Sequence, residues 1–468
     1  MPKVSISKSC KVYLYIKEFH NEFLLSPNRE LFCIMCNVNV NSDRRSTVLK
    51  HRESLKHQSA TMRQRKDGMQ TFISMDNTKE KEDFVKLVLK AFLSADIPIY
   101  KANNPQLKSL FSFMGKPLPS ETTLRSHVSL FAEEELLSVK SIIQDKQIFL
   151  VVDETDVSGR RFFNTLIGII SEPQKTYLID CRTCEGSVNQ QYVVYLIDDL
   201  IRECNVSRHN FSLLLSDAAR YMTAAGNALK FMYPQMFHVT CVSHLLHNCA
   251  EKVRGHYANV DNVIARVKAF ISKNKSRRNL FHEIGIPPQP VVTRWGSWLN
   301  AAIYYADNLP AIKEIIHGYE GNGLLVSRAK DSLHDDRLTQ SLMEIKRDYS
   351  DLIEVLEQTE ATAYSILHAY EHLKNIRFGK DACGLRTYLD ERMEKNADLL
   401  AIVKLSKENV SPSTYVLLQK CQATSSAVER SFSMLKKLLA KDRQFKDDNV
   451  KNYLIPHYNS VAKSDHDV

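Results

Sequence analysis

The sequence predicts an α/β protein in which a zinc-finger module and a small helical module precede a mixed sheet, and the sheet is interrupted by an all-α insertion. Three observations predict this. Two cysteines and two histidines near the N-terminus have metal-ligand spacing, short apolar runs recur between residues 146 and 241, and helical periodicity extends over residues 298–420. The chain has 468 residues, 44% hydrophobic and 25% charged, so two or three folded cores are expected.

Four residues carry the zinc-finger prediction for residues 1–65. Cys33 and Cys36 are followed by fourteen residues and then by His51 and His57, which are separated by five. This spacing is typical of a tetrahedral Zn²⁺ site in a Cys2His2 or BED-like finger, with both histidines projecting from successive turns of one helix. The alternative is two buried thiols and two surface histidines. The joint spacing and the basic flanks favour zinc.

Positive charge is concentrated in this N-terminal region. Residues 1–75 carry 13 Lys and Arg against 6 Asp and Glu, so +7 of the chain's net +9 lies there. Such a surface attracts a polyanion, because phosphate contacts by Lys and Arg release counterions, although a simply solvated surface is the alternative. The residues expected to contact double-stranded DNA are Arg44, Arg45, Lys50, Arg52 and Lys56.

A change of periodicity separates the next two regions. The polar residues 66–80 predict a linker, and residues 81–145 predict a small helical module. From residue 146 the runs KQIFLVVD, RRFFNTLIGII and KTYLIDC predict three consecutive strands, and helices and strands then alternate. The order βββαβαβα over residues 146–297 is that of a ribonuclease H-like core. Residues 298–420 predict an all-α insertion, and residues 421–468 predict a helix that completes the core.

Three carboxylates form a candidate Mg²⁺ or Mn²⁺ site. Asp153 ends the first predicted strand and Asp217 ends the fourth, and these strands are neighbours in a core of this order. Glu429, on a late helix, is the third expected ligand, because cations that promote phosphoryl transfer are held by carboxylates from separate segments. For either Asp alone, a plain strand exit is the alternative. Ser426-x-x-Glu429 is also a capping box, which gives Glu429 a structural alternative.

The same region resembles a known family. The segments VVDETD, LLLSDAARYM, CVSHLLHNC, TRWGSW and SSAVERSFSMLKK occur in the order seen in hAT-superfamily DNA transposases, so residues 146–460 resemble that family. The resemblance implies Asp153, Asp217 and Glu429 as the metal-binding triad of a DDE enzyme that cuts and joins DNA. It also implies a C-terminal dimerisation region, in which apolar residues pack across chains or, alternatively, are simply core: Phe432, Leu435, Leu438 and Leu439.

Two shorter motifs add further DNA-binding candidates. Cys241 and His244 match the family's Cys-x-x-His motif, and Arg294 and Trp295 match its Arg-Trp pair, whose Trp stacks on a flipped base. His244, Arg294 and Trp295 are therefore expected to contact DNA. The alternatives are a packed helix histidine and a core tryptophan.

A second resemblance covers the N-terminal 145 residues. LFCIMCNVNVN, KHRESLKH and EDFVKLVLKAFLSADIPIYKANNPQLKSLF are similar to the CGG triplet-repeat-binding protein family. This resemblance implies that the finger and the following helices bind DNA in the nucleus and regulate transcription.

Two main functions follow from these patterns. The first is a nuclear, zinc-finger transposase of the hAT type with a two-metal DDE mechanism, acting as a homodimer or higher oligomer. The alternative is a domesticated, non-catalytic DNA-binding regulator, and a nuclease without joining activity is a third possibility. The sequence has no membrane span or signal peptide, which predicts an intracellular protein. Cys181 and Cys184 lack a second pair at metal-ligand spacing and are predicted to be buried thiols.

Overall fold

The structure, a computed structural model, describes residues 8–464 apart from 20–21, 27–29, 185, 273, 291–295, 360–363, 405–411, 441–444 and 446. The chain divides into two compact units, Met1–Val88 and Leu89–Val468. Among the described helices, none combines the length and the apolar character that crossing a bilayer requires.

A three-stranded antiparallel sheet and helices form the first unit. The strands lie in the order β1-β2-β3 and are β1 (Phe23–Leu25), β2 (Leu31–Cys33) and β3 (Val38–Val40). The helices are α1 (Lys8–Glu18), α2 (Arg45–Arg52) and α3 (Leu55–Ser94), the last of which continues beyond the unit. Between β2 and β3, Asn37 has a φ of 57°, a left-handed conformation that Asn tolerates better than most residues. The tight turn that carries the second cysteine is therefore compatible with the local sequence.

The predicted linker at 66–80 is helical in the structure, because α3 runs through it. This helix contains no proline and a single glycine, Gly68. One glycine in a helix interior costs about 1 kcal/mol relative to alanine, too little to end a helix of 40 residues. The polar composition of the segment predicted a break that the backbone does not make.

A five-stranded mixed sheet forms the centre of the second unit. Its strands are β4 (Ile148–Val157), β5 (Arg160–Ile169), β6 (Thr176–Cys184), β7 (Phe211–Ser216) and β8 (Phe237–Thr240). The spatial order is β6-β5-β4-β7-β8. The first three strands are antiparallel to one another, whereas β7 pairs parallel with β4 and β8 parallel with β7. The prediction that the first and fourth strands of this sheet are neighbours is confirmed.

The first strand of this sheet is longer than the sequence predicts. The predicted strand ends at Asp153, but β4 continues to Val157 and pairs with β5 along its whole length, with Asp153 opposite Asn164. The parallel pairing of β4 with β7 ends at Val151 and Leu215. Asp153 therefore lies within the β4-β5 hairpin, two residues beyond the end of the parallel pairing with β7.

Helices surround the sheet and fill the remainder of the second unit. Those that precede the sheet or alternate with its strands are α4 (Pro105–Phe113), α5 (Glu121–Ser126), α6 (Val128–Ile143), α7 (Gln190–Glu203), α8 (Arg220–Met232) and α9 (Val242–His256). Those that follow are α10 (Ala258–Ser272), α11 (Lys275–Asn279), α12 (Ser297–Gly318), α13 (Leu324–Ser332), α14 (Leu338–Thr359), α15 (Ile366–Asn375), α16 (Leu385–Lys395), α17 (Ala397–Lys404), α18 (Pro412–Lys420), α19 (Ser426–Leu438) and α20 (Asp447–Ser464). The helical pattern predicted for 298–420 is confirmed in the residues that are described.

The two faces of the sheet are covered by different helices. Leu150 and Val152 share one core with the apolar residues of α7 and α8. Because successive strand residues point to opposite faces, Asp153 faces the other side, where α19 packs on β4 and β5. The sheet therefore separates an apolar core from the face that carries the predicted carboxylates.

The last two helices complete the second unit. The apolar residues of the predicted dimerisation region are all buried within the chain, which confirms the alternative that they are core: Phe432, Leu435, Leu438 and Leu439. On α20, the Asn459 side chain accepts a hydrogen bond from the backbone N–H of Leu178 at 2.8 Å and donates one to its carbonyl at 3.2 Å. Leu178 belongs to the edge strand β6, so this amide satisfies backbone groups that an edge would expose.

Candidate functional site

The four predicted zinc ligands converge in the first unit. Cys33 ends β2 and Cys36 lies in the turn that follows, while His51 is on α2 and His57 is on α3. One donor atom from each residue lies within 4.8 Å of the others, and His57 Nδ1 is 3.3 Å from Cys33 Sγ and 3.5 Å from Cys36 Sγ. The two histidines come from two helices rather than from one, because α2 ends at Arg52. Two thiols and two imidazoles at this separation form a possible Zn²⁺ site.

The electrostatic environment of the cluster suits a metal ion. Burial, assisted by the neighbouring imidazole of His57, lowers the pKa of His51 and favours the neutral ring that binds Zn²⁺. Burial and the adjacent Cys33 raise the pKa of Cys36, so its thiolate needs a cation to stabilise it. His51 Nε2 is buried and makes no hydrogen bond to any described residue. A cation at the centre would satisfy this atom and both sulfurs.

The basic residues around the finger fall into two groups. Of the five predicted DNA contacts, only Arg52 is half-buried, and four are exposed: Arg44, Arg45, Lys50 and Lys56. Arg45 is paired with Glu18 through its Nε at 3.0 Å, and Arg52 binds Glu22 through two hydrogen bonds of 2.6 and 2.8 Å. A carboxylate therefore offsets part of the charge of Arg45 and Arg52, whereas Arg44, Lys50 and Lys56 face solvent.

A second cluster lies in the second unit, where the predicted carboxylates approach one another. Donor atoms of Asp153, His244 and Glu429 lie within 4.8 Å of one another, and His244 Nε2 is 3.9 Å from Asp153 Oδ2. Asp217, directly after β7, is outside this group of mutually close donors but is near enough to raise the pKa of Asp153. The group that the structure brings together thus includes a histidine that the sequence assigned to DNA contact.

Of the carboxylates near this cluster, Asp153 is buried, Asp217 and Glu429 are half-buried, and the charges of the latter two oppose ionisation of Asp153. Burial raises the pKa of Asp153 well above its ordinary range, and the charges of Asp217 and Glu429 raise it further, while His244 opposes them. Burial also raises the pKa of Asp217 and of Glu429. Asp153 Oδ1 accepts a hydrogen bond from the Glu154 N–H at 2.8 Å, but Oδ2 has no hydrogen-bond partner in the described part of the chain. A buried, unsatisfied carboxylate oxygen is what a bound cation would neutralise.

A cysteine and a serine hold the elements of this cluster together. Cys241 precedes α9 and Ser425 precedes α19, and Ser425 donates to Cys241 Sγ from its N–H at 3.1 Å and from its hydroxyl at 3.2 Å. Burial alone would lower the pKa of His244, but Cys241 and the carboxylates outweigh it and raise the pKa to about 10. In return, although burial acts against it, His244 with Ser425 lowers the pKa of Cys241. Each group therefore favours the charged form of the other.

The capping-box alternative for Glu429 is wrong. The N-cap residue of α19 is Ser425, not Ser426, and its side chain makes no capping hydrogen bond. Its hydroxyl instead donates to Cys241, and Ser426 is already inside the helix. Glu429 in the first turn is therefore not half of a reciprocal cap.

Sequence reasoning missed Asn164, a fully buried residue opposite Asp153 on β5. Its amide donates to the hydroxyl of Ser431 on α19 at 2.8 Å, which links the sheet to the helix that carries Glu429. An asparagine within the apolar run RRFFNTLIGII was the available signal.

The predicted DNA contacts Arg294 and Trp295 lie outside the described residues. Both members of the other predicted thiol pair are free, Cys181 buried and Cys184 half-buried.

Comparisons with known proteins bear on the first unit. Residues 3–62 match the family model described as the CGGBP1 N-terminal domain. A search of curated proteins finds no match. The family match lies within the first 145 residues, for which the sequence predicted such a resemblance, and it does not reach residues 146–460, where the likeness to hAT transposases stays unsupported by comparison. The chain is thus similar to the CGGBP1 N-terminal domain over the segment that contains the Cys2His2 cluster.

Proposed function

We propose that this protein is a nuclear regulator that binds double-stranded DNA through a zinc-stabilised finger. The observation that carries the proposal is the convergence of Cys33, Cys36, His51 and His57 inside the segment similar to the CGGBP1 N-terminal domain. The similarity favours a DNA-binding regulator, and the cluster supplies a reason for the finger to fold. A core of this size needs the cross-link that Zn²⁺ provides when it is bound.

The exposed cations give this finger its proposed contact surface. Arg44 immediately precedes α2, Lys50 lies in its last turn, and Lys56 is in the first turn of α3. Lys and Arg at such positions bind phosphates and position a helix on the duplex without reading its sequence. Each lysine that contacts a phosphate contributes about 1 to the slope of log affinity against log salt concentration.

The test measures binding of the full chain to a short DNA duplex by fluorescence anisotropy, with and without a zinc chelator. Combined Cys33→Ser and Cys36→Ser substitutions are expected to remove both the bound zinc and the DNA affinity. Cys383→Ser, a half-buried thiol of the second unit, is the matched control and should change neither. DNA affinity that survives the double substitution unchanged would exclude the finger as the binding element.

A second candidate function concerns the second unit. The Asp153, His244 and Glu429 cluster, with Asp217 beside it, favours a metal-dependent nuclease or transposase of the hAT type on a ribonuclease H-like core. The strand order and directions of the sheet support that assignment, and the division into 146–297, 298–420 and 421–468 is part of the proposal. The carboxylates would hold Mg²⁺ or Mn²⁺, whose chemistry is charge neutralisation at a reacting phosphate. Protonated His244 would hold a positive charge beside Asp153 rather than act as a ligand.

This second function has its own experiment. Wild type and Asp153→Ala are incubated with duplex DNA in Mg²⁺ or Mn²⁺, and strand breaks are measured. Cleavage by wild type that disappears in Asp153→Ala supports catalysis. Equal cleavage by both would contradict the proposed site, and no cleavage by wild type would leave the non-catalytic regulator as the function.

A further inference from the structure

We propose that Glu22 is the positioning residue of the finger's metal centre. By accepting a hydrogen bond from one side of the His57 ring, Glu22 directs the other side of the ring toward the cysteines. The inference rests on the proposed function, because it presumes that the four-residue cluster binds Zn²⁺. It concerns a residue that is not itself a ligand and that the ligand spacing does not reveal.

The two ring nitrogens of His57 face different partners. Nδ1 lies 3.3 Å from Cys33 Sγ and 3.5 Å from Cys36 Sγ, whereas Nε2 lies 3.3 Å from Glu22 Oε2. The His57 side chain is only 5% exposed, so water does not compete for either nitrogen. A neutral imidazole carries one proton, and a carboxylate at Nε2 favours the tautomer that carries it there. The lone pair of Nδ1 is then directed at the site between the sulfurs.

Glu22 is itself held in place from two sides. Arg52 donates from Nε to Oε2 at 2.6 Å and from Nη2 to Oε1 at 2.8 Å, and its guanidinium lies 4.4 Å from the centre of the Phe19 ring. The backbone carbonyl of Glu22 accepts a hydrogen bond from the Ile34 N–H at 3.0 Å, inside the segment between the two cysteines. The carboxylate is therefore fixed relative to the thiols before any metal arrives.

The ring of His57 is also restrained in its plane. Phe23 lies nearly parallel to it, with an interplanar angle of 16° and ring centres 6.3 Å apart. Rotation of the imidazole would break this packing and the contact with Glu22 together. Carboxylates that orient a metal-binding histidine in this way raise its basicity, and their removal typically weakens metal binding by about 10- to 100-fold.

The competing explanation is that Glu22 serves only as the ion-pair partner of Arg52. Variants of the full chain separate the two roles. Glu22→Ala removes both contacts, Glu22→Gln keeps an acceptor for Nε2, and Arg52→Met removes the ion pair but keeps an apolar stem over Phe19. Glu18→Ala is the matched control, since Glu18 pairs with Arg45 on the same surface and is not among the contacts of His57.

Zinc affinity is measured by competition with a chromogenic chelator, and Co²⁺ is substituted to record the absorption of the ligand set. Glu22→Ala should bind Zn²⁺ about 10- to 100-fold more weakly and shift the Co²⁺ bands, and Glu22→Gln should recover most of the affinity. Arg52→Met leaves the Glu22 carboxylate beside Nε2 but removes one of its restraints, so it should lose less zinc affinity than Glu22→Ala. Glu18→Ala should stay close to wild type in both measurements.

Two results would overturn the inference alone: wild-type affinity and spectrum in Glu22→Ala, or an equal loss in Arg52→Met. If Glu22→Ala does not fold, Glu22→Gln decides: its neutral amide should shift the Co²⁺ bands although most of the zinc affinity is retained, and bands identical to those of wild type would overturn the inference. Failure of the wild type to bind Zn²⁺ at all would instead overturn the proposed function, and the inference with it.

Discussion

Acidification should destabilise the second unit through one buried histidine, His238 on β8. Its Nε2 shares a hydrogen bond with the Ser216 hydroxyl at 2.9 Å, immediately before Asp217. Burial lowers the pKa of His238 from 6.5 to about 4, with the charges of Asp398 and Lys230 acting in opposite directions. Because the folded protein prefers the neutral ring, the stabilisation is complete above about pH 6.5 and is lost as pH falls toward 4.

The size of this effect follows from the two pKa values. A difference of about 2.5 between 6.5 and 4 corresponds to roughly 3 kcal/mol at 1.36 kcal/mol for each pKa unit, and most of it should be gone at about pH 4.5. The side chain is almost fully buried, so solvent screening reduces this figure little. Loss of the neutral ring would also disturb the strand end that presents Asp217.

The assay is urea unfolding, monitored by tryptophan fluorescence, because both tryptophans lie in the second unit. Other carboxylates titrate in the same range, so the informative quantity is the difference between wild type and His238→Gln. Between about pH 7.5 and 4.5, wild type should lose roughly 2 to 3 kcal/mol more than the variant. The exposed His282→Gln is the control and should follow wild type. Parallel curves for wild type and His238→Gln would refute the reasoning.

Three further changes test other parts of the second unit. Gly226→Ala would place a Cβ 2.0 Å from Nδ1 of His238, so urea unfolding should show a loss of about 1–3 kcal/mol, whereas Gly255→Ala, with no atom within 4 Å, should be neutral or stabilising. Asn459→Leu leaves two backbone groups of β6 without partners and should cost about 2 kcal/mol or more, with faster amide exchange in that strand; unchanged exchange would contradict this. Asp153→Asn, measured at pH 8 without metal, should raise the melting temperature, because the pKa of Asp153 is raised in the folded state and its ionised form is destabilising; a lower melting temperature would argue against the buried repulsion.

The parts of the fold that sequence predicted are those with uniform burial. Strands β4, β5 and β7 appear as apolar runs because both of their faces are covered, and β7 ends at the polar residue Ser216. The prediction failed where a polar residue was taken as an end, as at Asp153, since the hairpin pairs DETDV with the start of β5. Local composition does not report such pairing. At 66–80 the polar composition predicted a linker, and the backbone there is helical.

The candidate sites, too, were predicted where the signal was local in sequence and missed where it was not. The ligand spacing predicted the finger cluster because all four residues lie within 25 positions of one another. The sequence did not reveal the role of Glu22, because that role depends on which ring nitrogen of His57 faces away from the cysteines. In the second cluster, the sequence suggested three acids, but it gave no reason to place His244 next to Asp153, and the contact of Ser425 with Cys241 joins residues 184 positions apart. Only tertiary packing decides contacts of that range.

That last contact also sets when the second cluster can exist. Glu429 reaches Asp153 only after the turn before α19 has docked on the segment before α9, and the intervening helices must already permit the closure. When residues 146–297 have left the ribosome, the sheet therefore carries Asp153 and Asp217, but Glu429 has not yet been synthesised. Any metal-dependent activity of this region would arise late in synthesis, and fragments that stop short of α19 would lack it.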